Sequence, residues 1–257
     1  KGAAIATVFG SFIAMVMSIR SLFHKHILIE FKYIRKKKIR INLGTIKSLF
    51  DLASTMFVEN IAVRIGFLAT ALTAAKLGTD AFAAHNAGMN ILSLGFSFGD
   101  GMQVAAVALA GRYLGENKPD LAIKYGYICQ RIGFVISIIL SILLLAFGKN
   151  IMALYFTDLH VIDMGLMITR FIMVIVLLQI SQLIFAGCLR SGGDVKYTMI
   201  TGFVSVTLVR TAVTLIAVNV FNLGLAGIWI GVLADQASRF IMFGLRFRGN
   251  KWTKIAI

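Results

Sequence analysis

Residues 161–189 read VIDMGLMITRFIMVIVLLQISQLIFAGCL, and the reading of this stretch decides the fold. Asp163 and Arg170 are its only charged side chains. The run is longer than the ~20 apolar residues that cross a bilayer as a helix. Apolar residues occupy every face of it, so no narrow stripe points to a soluble core. Six further stretches share this character, at residues 2–22, 46–74, 81–110, 121–147, 197–220 and 225–245. Several exceed the minimum length, which predicts tilt or ends that run into water. The chain of 257 residues is 58% hydrophobic and 14% charged with a single Pro, and its mean hydropathy is +0.86. Soluble domains carry roughly 25% charged residues, so the balance disfavours a cytosolic enzyme or a DNA-binding domain. The fold expected is all-α, a polytopic membrane bundle.

The connections between the spans are uneven in charge. Lys and Arg number 26 against 11 Asp and Glu, a formal net charge of +15. One face holds Arg20, Lys25, Lys32, Arg35 to Lys38, Arg40 and Lys47, then Arg112, Lys118, Lys124 and Arg131. It also holds Arg190, Lys196, Arg239, Arg246, Arg248, Lys251 and Lys254. The opposite face holds Lys1, Lys76 and Lys149. The positive-inside rule therefore predicts a cytoplasmic basic linker over residues 23–44 and a cytoplasmic C-terminus, in a cell membrane. In that linker Ile27, Ile29, Phe31, Ile34, Ile39 and Ile41 interleave with the cations, a pattern that fits an amphipathic segment lying along anionic headgroups. Nucleic acid is not an expected partner. Cys129 and Cys188 lie in apolar stretches without CxxC spacing, so neither a disulfide framework nor a metal site is expected.

Six ionisable residues fall inside the apolar spans: Glu59, Arg64, Asp100, Arg170, Arg210 and Asp235. Each costs about 2.5–3.5 kcal/mol at the bilayer centre even on the lenient insertion scale, so each should face a packed interior or a wet cavity. Glu59 and Arg64 are five apart and do not share a helix stripe, so their partners should come from other helices. Glu59, Asp100 and Asp235 are the candidates for cation coupling, with Arg64 and Arg210 as charge partners. A carboxylate caught between desolvation and a nearby arginine can load and release a cation as its cavity opens and closes. Asn60, Phe67, Asn86, Asn90, Gln103, Gln179 and Gln182 are the candidates for a substrate cleft, with the competing reading that the amides bind helix to helix. No HExxH string is present, and no His pairs with a carboxylate inside the spans. No catalytic residue, cofactor or enzymatic activity is expected.

Specific strings accumulate along the chain: ENIAVRIGF (59–67), LGTDAFAAHN (77–86), LSLGFSFGDGMQVAAVALAGRYLGENKPDLA (92–122), AGCLRSGGDVKYTMI (186–200) and LGLAGIWIGVLADQ (223–236). Their order and spacing resemble the C-terminal half of a multidrug and toxic compound extrusion (MATE) transporter. Glu59, Arg64, Asp100, the LRSGGD turn (189–194) and Asp235 are similar to positions in the bacterial drug-exporter branch. The resemblance implies twelve spans in two six-helix lobes. Residues 1–22 would be the last helix of the N-terminal lobe, 23–44 the basic linker and 45–257 the C-terminal six-helix lobe. It further implies export of cationic or amphipathic organic compounds, driven by H+ or Na+ through alternating access, with the missing N-terminal lobe and the bilayer as partners. The fifth span has no acidic residue after Arg170, whereas some family members place a sodium-binding carboxylate there. A lipid-linked oligosaccharide flippase of the same superfamily is the alternative.

Overall fold

The short polar connections cut the apolar runs into helices much as their turn residues dictate. In the computed structural model, which describes residues 2–21 and 43–254, the chain forms helix α1 (Gly2–Ser21), α2 (Leu43–Lys76) and α3 (Thr79–Gly115). These are followed by α4 (Pro119–Tyr155), α5 (Leu159–Ser191), α6 (Val195–Asn219) and α7 (Gly224–Arg248). A 3-10 turn (Lys251–Lys254) follows. Among the described residues, six helices are long and apolar enough to cross a membrane: Ala53–Lys76 within α2, and α3 to α7. In α1, the apolar part among the described residues runs Val8–Arg20. Most of the basic segment 23–44 lies outside the described residues.

The chain divides into two compact units, Lys1–Asp51 and Leu52–Ile257. The first contains α1 and the start of α2. The second is the bundle, and it carries every site discussed below.

Turn chemistry closes the hairpins. Gly78 has φ +110° before α3, and Gly193 has φ +83° between α5 and α6, both in the region where an L side chain is strained. Asn117 takes the left-handed conformation two residues before Pro119, which starts α4 without needing an N–H partner. Asp158 caps α5 by accepting from the His160 backbone N–H at 2.9 Å. In the turn between α3 and α4, Glu116 accepts from Lys118 and Arg112, which hold its carboxyl below the usual carboxylate range.

Helix α5 forms the centre of the unit, packed against α3, α4, α6 and α7. Ile168, Ile172, Ile175, Ile180 and Ile184 are fully enclosed along it. The outer helices meet it through small residues. A Cβ on Gly88 of α3 would lie 2.5 Å from Ile168 and 2.7 Å from the Trp229 ring, and one on Gly126 of α4 would lie 2.7 Å from Phe247. Close helix approach, rather than bending, accounts for most of the glycines in the spans. Gly88→Ala should therefore overpack the junction of α3, α5 and α7 and destabilise the protein by about 1–3 kcal/mol. Thermal unfolding in detergent checks this, and an unchanged midpoint would mean the junction is looser than described.

Among the described residues, the π-helical interruption of a span falls in α6. Residues Val204–Arg210 form a π-helix between two α-helical segments. No Pro or Gly marks it in VSVTLVR. The wider turn buries both Ser205 and Arg210, and π segments of this kind recur at functional sites.

Candidate functional site

Glu59 sits on the membrane-crossing part of α2 and is 8% exposed. Its Oε1 accepts from the guanidinium of Arg190, near the C-terminal end of α5, at 2.7 Å. A charge-assisted bond this short is what a carboxylate needs once water is withdrawn. Gly202 of α6 makes the room, because a Cβ there would stand 3.2 Å from both Cγ and Oε1 of Glu59. The Arg190 Nε lies 3.5 Å from the Thr198 hydroxyl, which bonds back to the Val195 carbonyl. Asp100 of α3 is exposed and forms no ion pair among the described residues. Of these two span carboxylates, Glu59 is engaged by Arg190 and Asp100 stays open.

Asp235 of α7 is held differently. It is completely enclosed, with Oδ1 accepting from Arg239 at 2.8 Å and Oδ2 lying 3.7 Å from Arg210. Arg210 is itself 1% exposed, donates from Nε to the Thr70 hydroxyl at 3.0 Å, and lies over the Phe67 ring at 4.4 Å. Ser205 donates to the Asp235 backbone carbonyl and contacts Ser238. This is a brace across α2, α6 and α7.

A third pair closes the turn after α5. Asp194 accepts from Arg246 at 2.7 Å, and Arg246 stacks over Tyr197 at 4.9 Å. Tyr197 in turn donates to the Met242 carbonyl.

These placements correct several expectations. Arg64 is exposed and forms no ion pair among the described residues. Arg190, which the charge count placed in a cytoplasmic connection, is the partner of Glu59. Arg210 does serve Asp235, together with Arg239. Asn60, Asn86 and Asn90 are exposed, and Phe67 and Gln103 are half-buried. Gln179 and Gln182, expected on a cleft wall, are instead enclosed. Gln182 donates to Gln236 across α5 and α7, while Gln179 packs against Gly95 of α3. Gln182 thereby ties α5 to α7, whereas both polar atoms of the Gln179 amide are enclosed without a hydrogen-bond partner among the described residues. The string GFSFG (95–99) has the spacing of a nucleophile elbow, but it lies mid-helix and its Ser97 bonds to the Ser93 carbonyl. The strand-to-helix turn that exposes such a nucleophile is missing there. His85 is buried beside Trp229, with ring centroids 5.6 Å apart. Among the described residues no group of His, Cys, Asp and Glu is arranged to hold a metal ion. Arg190 was the residue missed, and the clue was in the LRSGGD turn, which the charge count treated as loop.

A family model described as MatE matches residues 55–216, more than half of the chain and a stretch that includes Glu59, Asp100 and Arg190. The chain belongs to the MatE family. It is 28% identical over 260 residues to a probable multidrug resistance protein NorM of Thermotoga maritima, covering 100% of this chain and 54% of that protein. The NorM of Pasteurella multocida is 27% identical over 259 residues, with 96% and 54% covered. The chain therefore spans about half the length of the curated MatE relatives it matches. A solved multidrug resistance MATE family transporter in an inward-facing conformation superposes with a TM-score of 0.70 at 19% identity, over 97% of this chain and 58% of that one. That likeness concerns the fold, which is the multi-pass helical bundle of MATE transporters.

Proposed function

We propose that this chain is the C-terminal lobe of a secondary active exporter of cationic or amphipathic organic compounds, coupled to inward movement of H+ or Na+. Residues 1–22 are the last helix of the preceding lobe, 23–44 a cytoplasmic linker and 45–257 the lobe itself, with the C-terminus also cytoplasmic. The supporting observation is the unequal treatment of two carboxylates by Arg190. Glu59 is held at 2.7 Å while Asp100, on the next span, stays exposed.

A single guanidinium cannot hold both carboxylates at full strength. When Arg190 engages Glu59, Asp100 is free to attract a cation. When a proton or sodium ion neutralises Glu59, Arg190 is released toward Asp100 and discharges whatever cation was there. A cation that binds one arrangement better than the other shifts the population between inward-open and outward-open states by its differential affinity. Lobe rocking supplies the two-sided access. The exposed Asn60, Asn86 and Asn90 on α2 and α3 offer neutral hydrogen-bonding groups to a substrate on the same helices.

Asp100→Asn in the full-length protein tests this reading. Efflux of a fluorescent organic cation should fall several-fold, roughly 1 kcal/mol or more of lost coupling, with membrane abundance unchanged because Asp100 is exposed. Full efflux at normal abundance would remove Asp100 from the mechanism.

A further inference from the structure

We infer that the groove between the C-terminal parts of α5 and α7 is a binding site for an anionic phospholipid. Phe185 and Phe240 form its floor, Ile241, Gly244 and Leu245 its side, and Arg248 its end, around a cavity of about 210 Å³. That volume is below the ~300–1,000 Å³ of pockets for drug-sized ligands, and it suits a segment of a single acyl chain. Ile241 and Leu245 are 56% and 64% exposed on a helix long and apolar enough to cross a membrane.

The polar end is what distinguishes this groove from ordinary lipid-facing surface. Residues 241, 245 and 248 follow one another on one face of α7, so the apolar trough leads along the helix to a cation. The neighbouring arginines are committed, Arg239 to Asp235 and Arg246 to Asp194. Arg248 is exposed and makes no ion pair among the described residues. Exposed Lys251 and Lys254 follow in the 3-10 turn. Trp252 anchors that turn, fully buried, donating to the Phe247 carbonyl at 3.1 Å and stacking on the Phe247 ring. The turn that carries the two lysines is therefore fixed to α7 directly after Arg248. An apolar trough ending in fixed positive charge complements one molecule, a lipid with an acyl chain below a phosphate of net negative charge.

The floor also shows how to fill the site. A Cβ on Gly244 would stand 3.6 Å from the Phe185 ring, an ordinary contact, so a larger side chain there would occupy the trough. Native mass spectrometry of the full-length protein, titrated with phosphatidylglycerol or with phosphatidylcholine of the same chains, tests the site. The wild type should bind phosphatidylglycerol about fivefold more tightly. Arg248→Gln should abolish the preference and Arg248→Lys should keep it. Gly244→Leu should weaken both lipids. If Gly244→Leu does not fold, the exposed Arg248 variants still decide. An unchanged preference in Arg248→Gln overturns the proposal. So does competition by inorganic phosphate equal to that by the lipid, since it would make the site one for free phosphate.

Discussion

Replacing Asp235 with alanine should destabilise the protein by about 3–5 kcal/mol, the cost of breaking a buried ion pair from one side. Asp235 is wholly enclosed, and its removal leaves Arg210, at 1% exposure, facing the Thr70 hydroxyl and the Phe67 ring with no carboxylate. Arg239 keeps some access to solvent and loses less. The charge, more than the space, carries the effect. Asp235→Leu combined with Arg210→Met should therefore recover much of the loss, because a matched apolar replacement of a buried pair is often neutral or stabilising. Thermal unfolding of the four proteins of this cycle, in one detergent, measures the coupling. A single-variant loss below about 1 kcal/mol would mean that the pair contributes no more than an exposed one. Efflux by Asp235→Ala should fall only in proportion to the protein remaining in the membrane.

Glu59→Gln should behave in the opposite way. The amide matches the carboxylate in shape, and Arg190 is about a quarter exposed, so folding should be little affected. What disappears is the negative charge that a proton or sodium ion neutralises. Arg190 is then released permanently, and the preference between the two access states no longer depends on cation loading. Gradient-driven efflux of a fluorescent organic cation should fall roughly tenfold or more, a loss of at least ~1.4 kcal/mol in coupling. Abundance on an immunoblot should be unchanged. Normal efflux in this variant would assign the Glu59–Arg190 pair to structure alone.

The spans were legible because apolar length is a strong signal that needs no tertiary information. Hydropathy carried no information on which span is central. The most apolar 18-residue windows of α4 and α5 share a mean hydropathy of 2.4, yet 17% of one window and 72% of the other is buried. Lipid and protein interior are equally apolar, so a lipid-facing helix and a core helix read alike. Glu59, Asp100 and Asp235 stood out because charge is expensive at that depth. Arg210 stood out with them, but Arg190 did not, because the pair Glu59–Arg190 joins residues 131 apart across two helices. The stripe argument sent Glu59 to another helix for its partner but could not say which arginine would meet it. The π segment in α6 was invisible for a related reason, since no residue in VSVTLVR is strained by a wider turn. The buried glutamines follow from packing against Gly95 and Gln236, which no periodicity announces.

The claim on which the mechanism rests is that Glu59 and Asp100 exchange one arginine as a cation comes and goes. Adding substrate to the solubilised full-length protein in weakly buffered medium, with proton and isotopic sodium release recorded together, tests it most directly. The wild type should release about one cation per substrate bound, and the combined Glu59→Gln, Asp100→Asn variant should release none while still binding substrate. The same release from the double variant as from the wild type would contradict the account.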